Sequence, residues 1–140
     1  MGDDAKTYLA EVIGTFALCF IGAGAIITNQ MTNGAVGLIG IALAHGIVLA
    51  VMISALGNIS GAHFNPAVTI GLLVGNKISG GKAIGYIISQ LVGGIIAGLL
   101  LRTIFPVSVW TPVNLGTPGL GQGLSVGTGV LVEIILTFFL

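Results

Sequence analysis

The chain has 140 residues, of which 55% are hydrophobic and 6% charged, and its formal net charge at neutral pH is zero. A water-soluble domain carries about a quarter charged residues, so this composition reads as an integral membrane protein. The absence of a basic surplus argues against a nucleic-acid partner, and a single cysteine, Cys19, excludes an intrachain disulfide.

Four apolar segments are expected, at about residues 8–27, 36–56, 83–101 and 126–140. The first three are each about 20 residues long, enough to cross roughly 30 Å of hydrocarbon. The fourth, of about 15 residues, falls short of a full crossing. A polar loop, TNQMTN, is expected at 28–33, and a Pro- and Gly-rich loop separates the third and fourth segments. No Lys, Arg, Asp or Glu occurs between Glu11 and Lys77. Lys6, Lys77 and Lys82 fall on one side of the membrane and Arg102 on the other, which places the N-terminus in the cytoplasm. Small residues four apart (Gly40 and Ala44, Ala42 and Gly46, Gly94 and Gly98) suit close helix packing in lipid.

Two stretches repeat. AEVIGTF at 10–16 and VEIILTF at 132–138 align Glu11 with Glu133, Thr15 with Thr137 and Phe16 with Phe138. Each puts a carboxylate inside an apolar helix, which is costly unless the carboxylate is buried and partnered. Three crossings lie between the copies, so the second starts on the opposite side of the membrane. That is an inverted repeat, the arrangement of channels and transporters.

Between the second and third segments lies SGAHFNPAVTIG. Asn65 is a good N-cap and Pro66 suits the first helical position, while Gly75 and Asn76 read as a stop. The spacing predicts a helix of about ten residues, roughly half a bilayer. Both neighbours are anchored on the cytoplasmic side, so this segment must dip into the membrane and return. Irregular backbone at that depth is tolerated only where it lines a cavity or is buried in protein. Residues 60–64 are therefore expected to offer carbonyl acceptors, and Asn65 amide donors, beside a positive helix terminus. Such a set suits small neutral hydrogen-bonding molecules and suits a cation poorly.

SGAHFNPAVTIG closely resembles the first NPA box of the aquaporin, or major intrinsic protein, family of water and glycerol channels. AEVIGTF and VEIILTF resemble that family's first- and fourth-helix motifs, and ISQLVGGIIAG at 88–98 looks like its third helix. The resemblance covers essentially the whole chain. It implies an all-α membrane protein, a right-handed helical bundle with a re-entrant NPA half-helix, and no cofactor. It also implies a homotetramer in a lipid bilayer. The chain would be one incomplete channel domain: a first repeat at 1–103, an extracellular loop at 104–124 and the start of a second repeat at 125–140.

Residue by residue, the resemblance makes Asn65, Pro66 and Ala67 the pore motif and Gly61, Ala62, His63 and Phe64 the source of pore-lining carbonyls. Leu49 and Val68 would form an apolar pore wall. Glu11, Gln90 and Glu133 would be buried polar braces. His45 stands where the family places a selectivity-filter residue, where water-selective members usually have Phe and glycerol facilitators Trp. A histidine resembles the plant vacuolar type, with a wider and more polar pore that admits ammonia, urea, glycerol or peroxide besides water.

The family's second NPA box and filter arginine fall outside these residues. The chain is thus expected to be part of a longer protein or to pair with another polypeptide. Half of a secondary transporter, or a non-transporting assembly subunit, are the alternatives. No nucleophile–base pair or metal-ligand spacing points to an enzyme.

Overall fold

A computed structural model describes residues 2–139. Six α-helices make up most of it: α1 (Asp3–Met31), α2 (Gly37–Ser60), α3 (Pro66–Val74), α4 (Gly80–Ile104), α5 (Val107–Trp110) and α6 (Val126–Phe139). A short turn of 3-10 type, Thr111–Gly116, broken by left-handed Asn114 and Leu115, follows α5, so the expected loop at 104–124 is helical only in part. Helices α1, α2 and α4 are long and apolar enough to cross a membrane, whereas α6 is apolar but shorter. Among the described residues there is no strand.

Residues 28–31 of the loop expected at 28–33 are instead the last turn of α1, which runs to Met31, and only Thr32 and Asn33 lie in the turn. Polar side chains close the helix rather than break it. Thr32 Oγ1 donates to the Thr28 carbonyl at 2.8 Å. The chain turns just beyond, where Asn33 and Gly34 are left-handed, and Asn29 Oδ1 accepts from Gly37 N at 2.9 Å to fix the start of α2. Helix α2 likewise runs four residues past the expected end at Leu56. Its terminator is Gly61, with φ 85°, whose N–H donates back to the Gly57 carbonyl at 2.9 Å.

Helix α1 is the centre of the bundle, packing on α4 along one face and α2 along another, while α3 leans on α4. The contact between α1 and α4 is close because Gly93 has no side chain. A Cβ there would stand 2.4 Å from the Val12 carbonyl oxygen. Ile27 of α1 and Ala97 and Leu101 of α4 are fully buried, and Leu101 reaches Gly24 of α1. Among the described residues, the expected small pair Ala42 and Gly46 on α2 meets no other helix. A Cβ at Gly46 would meet nothing within 4 Å, and Ala42 is exposed. Leu38, Ile39, Leu43 and Ile47 are exposed as well, an apolar outer face suited to lipid.

Candidate functional site

Residues 61–65 carry the site, and their backbone is unusual. Gly61, Ala62 and Phe64 have φ of 85°, 52° and 49°. The left-handed region costs a non-glycine residue about 1–2 kcal/mol, so something must hold Ala62 and Phe64 there.

The main support is Glu11, which is fully buried on α1. Its Oε1 accepts from Ser60 Oγ at 2.7 Å and from His63 N at 3.0 Å. Its Oε2 accepts from Phe64 N and from Gln90 Nε2, each at 2.8 Å. Four donors thus fill both oxygens, which compensates the burial of a carboxylate. One turn along α1, Thr15 Oγ1 donates to the Phe64 carbonyl at 3.2 Å. Between them Gly14 leaves a notch for the Phe64 ring, where a Cβ would come within 2.1 Å of the ring. So α1 offers the loop an acceptor, a notch and a donor at positions 11, 14 and 15, all on one helix face.

Helix α4 braces the loop from its other side. Tyr86 OH donates to the Ser60 carbonyl at 2.6 Å, and Ser60 Oγ accepts from Ala62 N at 3.1 Å. Gln90 Nε2 also donates to Thr69 Oγ1 at 3.0 Å. Thr69 Oγ1 donates in turn to the Asn65 carbonyl at 3.3 Å and lies 3.0 Å from His63 Nδ1. The threonine has one hydrogen, and that carbonyl can only accept. His63 Nδ1 is therefore the donor to Thr69, which leaves Nε2 of the neutral ring as an acceptor. Reversing the Gln90 amide would set its oxygen against a carboxylate, so its orientation is fixed. The cost is a buried Oε1 with no partner among the described residues.

Asn65 caps α3, with Pro66 at the first helical position. Its Oδ1 accepts from Ala67 N at 2.8 Å, which turns the side-chain NH2 away from the helix. A narrow cavity of about 60 Å³ lies here, with Ala62, His63 and Asn65 on its polar side and Leu18, Leu49, Ile53 and Val68 on its apolar side. That is room for a few waters at most.

Several expected site residues sit as follows. Leu49 and Val68 form part of the apolar wall. Glu11 and Gln90 are buried and bonded to each other. Ala62 and His63 line the narrow cavity, but Gly61 is exposed and Phe64 is not part of that lining. Contrary to expectation, the Phe64 carbonyl faces α1, because Thr15 claims it. His45 does not line this cavity either. It stands one turn along α2 from Leu49, its Nδ1 is 2.8 Å from the Ile41 carbonyl, and its ring rests against Gly22 of α1.

Glu133, expected to be buried, is exposed. It lies on α6, which makes little contact with the other helices. With Thr137 it faces a broad, largely apolar cavity of about 1080 Å³ between α6 and α3. The described residues bring no loop to Glu133 as residues 60–64 come to Glu11. Ala67 and Val68 also line this larger cavity, so Val68 stands between the two. Among the described residues, no group of three or more His, Cys, Asp or Glu side chains could hold a metal.

Sequence reasoning misses Thr69 and Tyr86 as braces and Leu18 and Ile53 as wall residues. Their spacing gives no signal, since each meets the loop only through the fold. Thr15 is visible as a repeated residue, but its partner is not.

The family described as Major intrinsic protein matches residues 2–140. Aquaporin Z of Photorhabdus laumondii subsp. laumondii is 40% identical over 136 residues, covering 91% of this chain and 59% of that protein. A probable aquaporin TIP-type of Medicago truncatula is 43% identical over 141 residues, covering 97% of this chain and 54% of its own length. Aquaporin TIP4-4 of Zea mays is 41% identical over 140 residues, covering 96% and 54%. The chain spans a little over half the length of these relatives. A carboxylate-held re-entrant loop leading into an asparagine-capped half-helix, and a family match across all the described residues, make one conclusion: the chain belongs to the major intrinsic protein family.

Proposed function

We propose that this chain supplies half of a passive membrane channel for water and other small neutral solutes. The observation that carries the reading is the strained loop at 61–65. Glu11, Thr15, Tyr86 and Gln90 hold it so that Ala62, His63 and Asn65 edge a cavity with room for only a few waters. In this reading Asn65 donates through its side-chain NH2, because its oxygen is occupied by the cap. The Ala62 and His63 carbonyls and His63 Nε2 accept. Leu18, Leu49, Ile53 and Val68 give the solute nothing to bond on the opposite side, so it stays aligned with the polar edge. The start of α3 adds partial positive charge at the same point, which disfavours cations.

His45 belongs to a wider tier of the path, one that passes ammonia, urea or peroxide besides water. The N-terminus lies in the cytoplasm on the strength of Lys6, Lys77 and Lys82. The working assembly is a homotetramer in the bilayer, as the family resemblance implies.

The experiment is stopped-flow swelling of proteoliposomes holding the protein expressed from its own gene. Fast water flux independent of any ion gradient is expected. Flux that requires a sodium or proton gradient, or none at all, would refute the reading.

A further inference from the structure

We propose that Gly22 is a specificity-determining residue of the path, because it is the seat on which the His45 ring lies. The inference rests on the channel reading above and assigns α1 a share in solute selection.

Leu18 and Gly22 are one turn apart on α1, and Leu49 and His45 are one turn apart on α2. Leu18 and Leu49 both line the narrow cavity beside Asn65. Gly22 and His45 therefore form the next tier, about 6 Å further along both helices. At this tier the two helices meet through the imidazole. The three atoms nearest to a Cβ built on Gly22 all belong to His45: Nε2 at 2.3 Å, Cδ2 at 2.5 Å and Cε1 at 3.0 Å. Gly93 differs, since a Cβ there meets backbone of α1. The glycine at 93 lets helices cross, whereas the glycine at 22 makes room for one side chain.

The ring is held from its other end as well. Its Nδ1 lies 2.8 Å from the Ile41 carbonyl, which can only accept. Nδ1 therefore carries a hydrogen, and Nε2 of the neutral ring is bare and turned toward Gly22. Bonded to its own helix and set with its Nε2 edge against Gly22, the imidazole is held between α1 and α2 and kept from swinging into the path. This tier is then set wide enough for a neutral solute broader than water, of which urea is the simplest probe. A single methyl at position 22 would occupy the place of Nε2. The ring would have to leave the Ile41 carbonyl and swing out, narrowing the tier.

The test compares wild type, Gly22→Ala, His45→Ala and the double variant, each expressed from the full gene and reconstituted in proteoliposomes. Water swelling and urea uptake are measured on the same vesicles. Gly22→Ala should lower the urea-to-water permeability ratio about tenfold, the worth of one methyl in a tight site. In the His45→Ala background the same change should have no effect. A ratio within about twofold of wild type, or an equal drop without the histidine, would overturn the proposal.

Nitrogen NMR of the imidazoles in nanodiscs reads the seat without any flux. Wild type should show a hydrogen on Nδ1 and a bare Nε2 at His45, with that pattern lost in Gly22→Ala. If wild type conducts nothing, the channel reading falls, and unchanged nitrogen signals in Gly22→Ala would overturn the seat as well. If Gly22→Ala fails to fold, the double variant decides. Folding once the ring is gone supports the seat, and failure there means that Gly22 packs helices instead.

Discussion

Gln90 Nε2 lies 2.8 Å from Glu11 Oε2, a bond that joins α4 to α1 across 79 positions of sequence. The same nitrogen reaches Thr69 Oγ1 on α3, so one amide ties three helices together behind the loop.

Replacing the acceptor should collapse this arrangement. In Glu11→Gln, an NH2 group takes the place of one carboxylate oxygen and confronts two donors that it cannot accept. The variant should lose about 3 kcal/mol, the worth of two hydrogen bonds to a charged group. Thermal unfolding in detergent measures it, and a change below about 1 kcal/mol would show that Glu11 is not the main support.

The Phe64 ring fills the notch at Gly14, so Gly14→Ala should force it out at a cost of about 1–3 kcal/mol. Adding Phe64→Ala removes the clash. The double variant should be less destabilised than the sum of the two single variants, and strict additivity would refute the notch.

Much of this site is legible in the order of residues alone. Asn65 and Pro66 announce a capped helix, and the apolar run after them is too short to cross, so a re-entrant turn follows from length. Glu11 stands out because a carboxylate in an apolar helix needs partners. What the sequence hides is which partners: Ser60, His63, Phe64 and Gln90 lie 49 to 79 residues away. It also hides which glycines touch anything. Of the glycines with packing spacing, Gly94 and Gly98 touch Cys19 and Leu115 while Gly46 touches nothing, and tighter contacts fall at Gly14, Gly22, Gly85 and Gly93. Spacing selects a helix face but does not say which face meets a neighbour. Glu133 repeats the Glu and Thr-Phe pattern of Glu11, but the described residues bring no loop to it.

That contrast between glycines is itself measurable. Gly93→Ala sets a methyl against the Val12 carbonyl and should cost several times what Gly46→Ala does. Gly46→Ala should be neutral or stabilising by up to about 1 kcal/mol, since alanine favours helix and the site is open. Equal effects on thermal unfolding would mean that α1 and α4 do not cross at Gly93.

Tyr86→Phe deletes only the hydroxyl that donates to the Ser60 carbonyl. The expected loss is about 1 kcal/mol. The more specific outcome is faster amide hydrogen exchange at residues 61–64 than in the rest of the protein. Uniform acceleration would mean that the hydroxyl acts on general stability and does not hold the loop.

The cap and the free NH2 group of Asn65 can be tested apart. Asn65→Asp keeps an oxygen for the Ala67 N–H and should preserve stability, because aspartate caps as well as asparagine. It removes the NH2 donor and should sharply reduce water flux. Unaltered flux in a stably folded Asn65→Asp protein would show that this amide does not meet the solute.

The position of Glu11 near the start of the chain bears on how the protein is made. Its carboxylate is synthesised about fifty residues before the donors of the loop, so α1 emerges with a polar group that nothing yet satisfies. An unpartnered carboxylate settles poorly in hydrocarbon. Helix α1 should therefore wait at the edge of the bilayer until residues 60–64 arrive, and the two should enter as a pair. Gln90, made last, then locks them in place. The clamp that shapes the finished loop would also time its insertion, and crosslinking of arrested nascent chains of increasing length would reveal the delay.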